Sequence, residues 1–84
     1  MIKRTAPLGS RSLITLSDSS KVHLNSFSEI SYPSDLATSS RWVKLKGEGF
    51  FEIKKNGKPF TVFIGTTKIE VLGTSFNVKV EENQ

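Results

Sequence analysis

The chain has no cysteine, so neither a disulfide framework nor a thiolate zinc site can compensate for a small core. That absence does not fix the compartment, because a cysteine-free domain is tolerated in reducing and oxidising surroundings alike. Histidine occurs once, at His23. A metal centre would need further ligands beside it, and the carboxylates are scattered along the sequence. General-base catalysis needs a nucleophile and an orienting partner, and no motif supplies either. The chain therefore reads as non-catalytic, without metal or cofactor. Long apolar runs are also missing. No stretch can span a bilayer, and Met1-Ile2-Lys3-Arg4 is not followed by the apolar region of a signal peptide, so no direct membrane insertion is expected of this segment.

What is present is a single small domain. Its 84 residues, 36% of them hydrophobic, bury only roughly 60–65% of the surface that the unfolded chain exposes, which predicts marginal stability. Twelve Lys and Arg against eight Asp and Glu give a net charge of +4. Lys44, Lys46, Lys54, Lys68 and Lys79 interleave with Glu48, Glu52 and Glu70, the pattern of a solvated sheet face. Lysine on strands also discourages edge-to-edge association, so the excess requires no polyanionic partner.

Short alternating strands fill most of the chain. Pro7 and Gly9 make a turn or extended lead-in, Leu13 to Leu16 a first strand and Lys21 to Asn25 a second, joined by the turn-forming Ser17-Asp18-Ser19-Ser20. Phe27, Ile30 and Tyr32 add apolar side chains, and residues 33–40 read as an irregular loop. From Arg41 to Lys54, Val43, Leu45, Gly47, Gly49, Phe51 and Ile53 share one face and Lys44, Lys46, Glu48, Glu52 and Lys54 the other. Two glycines inside a core-facing row predict a bend, so this long strand breaks and turns a corner between sheets. Asn56-Gly57 predicts a hairpin between 48–54 and 59–64. Phe60 to Ile64, Lys68 to Leu72 and Ser75 to Val80 complete the strands, separated by Gly65-Thr66 and Gly73. The expected fold is all-β, with short, mostly antiparallel strands and hairpins in a two-sheet sandwich, a roll or a solenoid-like stack.

Three ordered blocks resemble the FecR-like domain of bacterial anti-sigma regulators. They are TAPLGSRSLITLSDSSKVHLNSFSEISYP, RWVKLKGEGFFEIKKNGKPFTV and IEVLGTSFNV, and together they cover nearly the whole chain. Asp18, Asn25, Gly47, Glu48, Gly73, Thr74, Phe76 and Asn77 stand at positions similar to the family's pattern, whereas His23 replaces a frequent tryptophan. The resemblance implies a periplasmic domain, 1–84, of a regulator anchored in the inner membrane. Its implied protein partners are the signalling domain of a TonB-dependent outer-membrane transporter and an adjoining C-terminal domain of the same protein. The extracytoplasmic-function sigma factor is bound only through a cytoplasmic segment absent from this sequence.

Each family position also has a local explanation. Gly47 and Gly73 relieve crowding at bends, while Asn25 and Asn77 read as turn and strand-end caps. Glu48 either bonds backbone donors at its bend or contacts a partner. His23, Glu48, Trp42 and Phe50 are the partner-contact candidates. Trp42 and Phe50 fall on the parity opposite Val43 and Phe51, forming a contact patch if that face is open and core if it is covered. Two other functions fit these residue types. A small basic β-barrel would stack single-stranded nucleic acid on Trp42 and Phe50 beside Lys44 and Lys46, although the interleaved glutamates and modest charge argue against a nucleic-acid partner. A purely structural spacer would need none of the surface residues.

Overall fold

The alternation in the sequence becomes nine short strands in a computed structural model that describes residues 2–7, 9–34 and 41–79. They are β1 (Ile2–Thr5), β2 (Ser12–Thr15), β3 (Lys21–Leu24), β4 (Glu29–Tyr32), β5 (Arg41–Lys46), β6 (Glu48–Glu52), β7 (Phe60–Ile64), β8 (Thr67–Val71) and β9 (Ser75–Lys79). One sheet has the order β1-β4-β5-β7-β8 and the other β2-β3-β6-β9. Every pairing is antiparallel except β5 with β7. The two sheets make a sandwich and neither closes into a barrel.

Period-two alternation decides what fills the space between the sheets. Ile30, Tyr32, Val43, Leu45, Phe60 and Val62 point in from the larger sheet, and Ile14, Val22, Leu24, Phe51 and Val78 meet them from the smaller one. Phe51 and Phe60 are fully buried. Each such side chain contributes about 1.5–3 kcal/mol of transfer free energy, a large share of what a domain this size can have.

The bend anticipated within residues 41–54 is at Gly47. Its φ of 96° ends β5 in one sheet and starts β6 in the other. The room is as demanding as the dihedral, since a Cβ here would lie 2.4 Å from Ser28 Oγ. That hydroxyl in turn accepts a hydrogen bond from the Glu48 N–H at 2.8 Å.

Three expectations need correction. Asn56-Gly57 bends the chain, with Gly57 at φ 82° and Lys58 N–H donating to Asn56 Oδ1, but Asn56 lacks the positive φ of a two-residue hairpin turn and the flanking strands are not a hairpin. β6 lies between β3 and β9 in one sheet and β7 between β5 and β8 in the other. A turn dipeptide specifies local dihedrals, and which strands pair is settled by burial. Phe27 is not core: it is 74% exposed and its φ is 65°. Residues 2–5, for which the sequence predicts no strand, and 29–32, read as apolar supply, are strands that pair with each other. Within the 33–40 loop, residues 35–40 lie outside the described residues, as does Val80.

A charge sits at the edge of this core. Arg41 shares the inward parity of Val43 and Leu45, and its side chain is fully buried. Its guanidinium pairs with the buried Asp18 carboxylate at 3.0 Å, donates to the Lys54 carbonyl at 2.8 Å and bonds the Lys58 carbonyl. A longer contact, 3.5 Å, reaches the Leu72 carbonyl, and the Phe60 ring lies 5.4 Å beneath the guanidinium carbon. Asp18 is itself fixed by the backbone N–H and hydroxyl of Ser20, and that hydroxyl accepts from Lys54 N–H at 2.9 Å.

Removing the carboxylate leaves this cation buried without a counter-charge. Asp18→Ala should therefore lower unfolding free energy by about 3–5 kcal/mol in urea denaturation, far more than an exposed ion pair is worth. At the bend, Gly47→Ala should cost about 2–5 kcal/mol, combining backbone strain with the Ser28 clash. Gly57→Ala has a comparable φ but nothing within 4 Å of the new Cβ, and should cost about 1–2 kcal/mol in the same measurement.

Candidate functional site

Strand order brings the functional candidates to the outer face of the smaller sheet. Leu13 of β2 stands opposite His23 of β3, His23 opposite Phe50 of β6, and Phe50 opposite Asn77 of β9, so the four form one row across the sheet. Leu13 is 57% exposed and Phe50 38%. The His23 and Phe50 rings lie 5.7 Å apart and tilted by 54°, and His23 Nε2 is paired with the Glu52 carboxylate one row away. The histidine is therefore held in place on the surface.

Glu48 occupies the adjoining row, at the start of β6. Asn25 Nδ2 donates to its Oε1 at 2.8 Å and Asn77 Nδ2 to its Oε2 at 3.1 Å. Asn25 also accepts from Ser26 N–H through Oδ1, and its own N–H donates to the Glu48 carbonyl. Glu48 thus accepts from side-chain donors just past the end of β3 and in the middle of β9, where the sequence suggested backbone donors or a partner, and Asn77 is not the strand-end cap it was expected to be. The Asn25 and Asn77 hydrogen bonds hold the Glu48 carboxyl below the ordinary glutamate range. Partial desolvation opposes them, and Lys79 and Arg11 add a smaller attraction. A shallow depression lies between this carboxylate and Phe50, lined also by Arg11, His23, Asn25 and Asn77.

Trp42 is elsewhere. Gly47 puts β5 and β6 in different sheets, so Trp42 and Phe50 share outward parity but lie on opposite faces of the sandwich. Trp42 is half-buried, edge-on to Phe63 at 6.2 Å with Lys44 Nζ 6.0 Å from its ring. The single patch expected from strand parity is therefore two separate surfaces. The nucleic-acid reading loses its platform for the same reason, since Trp42 and Phe50 cannot stack neighbouring bases of one strand and the sandwich is not a barrel. Among the described residues no three His, Cys, Asp or Glu side chains gather in a way that could hold a metal ion.

The remaining candidates build the frame. Gly73 passes so close to Lys55 that a Cβ would sit 2.6 Å from the Lys55 Cβ and 2.7 Å from its Cα. Thr74 accepts at its carbonyl from Ile53 N–H, and Phe76 stacks on Phe51 at 5.3 Å with the rings nearly parallel. Arg41 was not singled out in the sequence. The signal was there: it falls on the core parity of the strand it begins, a position where a cation requires a buried carboxylate.

The family model described as FecR protein matches residues 3–84. The chain belongs to the FecR family. A crystal structure of a "putative anti-sigma factor" from Parabacteroides distasonis ATCC 8503 is similar at 36% identity and a TM-score of 0.91, over 100% of this chain and 40% of that one. A second crystal structure, described in the same words and from the same organism, is similar at 34% identity and a TM-score of 0.90, over 99% of this chain and 39% of that one. The chain thus spans about two fifths of the length of these neighbours. No curated protein matches it. The three FecR-like blocks of the sequence each supply one member of the Glu48 cluster: Asn25 from the first, Glu48 from the second and Asn77 from the third.

A carboxyl held below its ordinary value contributes stability that is present above the ordinary glutamate range and lost as pH falls through the folded-state value. Asn25→Ala and Asn77→Ala should each move the Glu48 titration, followed by carbon-13 NMR of its carboxyl, upward toward ordinary glutamate. The stability gap between each variant and the parent should then shrink in acid, below that range. Unmoved titration midpoints in both variants would show that the asparagines do not set the charge.

Proposed function

We propose that this FecR-family chain is the non-catalytic, periplasmic signal-relay domain of an anti-sigma regulator anchored in the inner membrane. It receives a signal from the signalling domain of a TonB-dependent outer-membrane transporter and passes it to an adjoining C-terminal domain of the same protein. The sigma factor is held by a cytoplasmic segment, which this domain controls without touching. The observation that carries the reading is the family match over residues 3–84, supported by the anti-sigma description of two structures at more than 30% identity.

The relay works through a surface. Leu13, His23 and Phe50 give an apolar row with an aromatic anchor, and the ionised Glu48 beside it supplies a fixed charge. Such a combination favours a protein partner, in which Phe50 enters a pocket while the charge sets orientation. Trp42, on the other face, is free to serve the second partner.

Titrating the isotope-labelled domain with the transporter's signalling domain, with and without the adjoining C-terminal domain attached, tests this directly. Amide shifts should cluster on β2, β3 and β6, and Phe50→Ala should weaken binding about tenfold or more while leaving the spectrum of the free domain folded. Silence in both arrangements would remove direct signal reception from this domain and leave the spacer reading.

A further inference from the structure

β8 ends the larger sheet, with β7 on one side and no strand on the other among the described residues. Its hairpin with β7 turns through Gly65-Thr66, so Ile64 and Thr67 are the pair that flanks a two-residue turn. Antiparallel alternation then directs the N–H and C=O groups of Thr67, Ile69 and Val71 toward β7 and those of Lys68 and Glu70 toward the open side. Beside that open edge Ile69 and Val71 are only half-buried and Leu72 is 61% exposed.

We propose that β8 pairs with the β8 of a second copy of this chain, antiparallel and centred on Ile69, joining two five-stranded sheets into one. In that register Lys68 of each copy lies opposite Glu70 of the other, and each such pair exchanges both backbone hydrogen bonds. The unpaired groups of both edges are thereby satisfied. Ile69 meets its own counterpart in the more closely spaced position between them, where side chains touch. Charge also rejects the alternatives, since centring on Lys68 or on Glu70 would set that residue against itself. A lone lysine guards an edge, but a lysine and a glutamate two residues apart on the same face make a self-complementary pair. β1, the other edge of the sheet, lacks this property. Its Lys3-Arg4 core sets cation against cation in antiparallel self-pairing.

One five-residue strand per copy makes a small interface, so the dimer is weak and reversible. Sedimentation equilibrium and amide NMR across the micromolar to millimolar range should show association with shifts concentrated at 67–72. Glu70→Lys places Lys68 opposite a new lysine and should weaken the dimer about tenfold or more. The double variant Lys68→Glu/Glu70→Lys recreates the opposite-charge pairs with their signs exchanged, and should restore affinity to within about threefold of the parent. Both sites are exposed on the outer face, and an unchanged thermal midpoint verifies that each variant folds. A chain that stays monomeric at millimolar concentration overturns the proposal. So does association that maps to other strands, that is indifferent to Glu70→Lys, or that the charge exchange fails to restore.

Discussion

Everything at one end of the sandwich depends on a single buried cation. Arg41 begins β5, and its guanidinium is held by the β2–β3 turn through Asp18, by the β6–β7 connection through Lys54 and Lys58, and by the β8–β9 connection through Leu72. The last two are the places where the chain leaves one sheet for the other at this end. A small all-β domain with no disulfide has few means of stopping its sheets from sliding over each other, because apolar contacts are non-directional. A guanidinium with several donors in fixed directions supplies what they lack. Burying the ion pair is expensive, and such pairs often add little net stability compared with an apolar substitute. What Arg41 gives is registration of three chain segments. Its Nε, buried without a hydrogen-bond partner among the described residues, is part of the cost.

The opposite end solves the same problem differently. There the chain changes sheets between β1 and β2, between β3 and β4, and between β5 and β6. These crossings are tied by Ala6 N–H to the Ser28 carbonyl, Phe27 N–H to the Ala6 carbonyl and Glu48 N–H to the Ser28 hydroxyl, with Glu48 itself bracing Asn25 and Asn77. This network is more exposed and mostly neutral, apart from one carboxylate whose charge is favoured by its asparagines. Acid acts on this network through that one group. Glu48 loses its advantage as it protonates, whereas the backbone bonds around it do not titrate.

Much of the fold was legible because alternation reports burial directly. Residues 43, 45, 51 and 53 were read as one inward face and are buried, and the glycine-marked corner between sheets is where the sequence put it. Pairing was less legible. Asn56-Gly57 identifies a turn, but both neighbours of β6 come from distant parts of the chain, and no local signal names them. β1 and β4 escaped notice because Lys3, Arg4 and the loop-like Ser-rich surroundings mask a two-sided alternation that only pairing completes. For the site, parity correctly turned Trp42 and Phe50 outward, yet it could not say that the Gly47 corner would carry them to opposite faces. Three of the four contact candidates, His23, Glu48 and Phe50, do come together, because β3 and β6 are neighbours.

The division of labour between these residues limits what family membership means. Asp18, Asn25, Gly47, Glu48, Gly73, Thr74, Phe76 and Asn77, the positions that carry the resemblance, are engaged in holding turns, crossings or ring stacks. A sequence can satisfy all of them and still differ in what it binds, since Leu13, His23, Phe50 and Trp42 are not among them. In the proposed relay, specificity then rests on the side chains that the frame does not use, beside the fixed charge of Glu48. On the smaller sheet those are Leu13 and Phe50, with His23 steadied by Glu52; on the larger sheet they are Trp42 and its neighbours Lys44 and Phe63. A frame pinned at both ends presents these two surfaces back to back at a fixed separation. That is the geometry the proposed relay would need, because a partner on one face and a partner on the other would then be related through a rigid body.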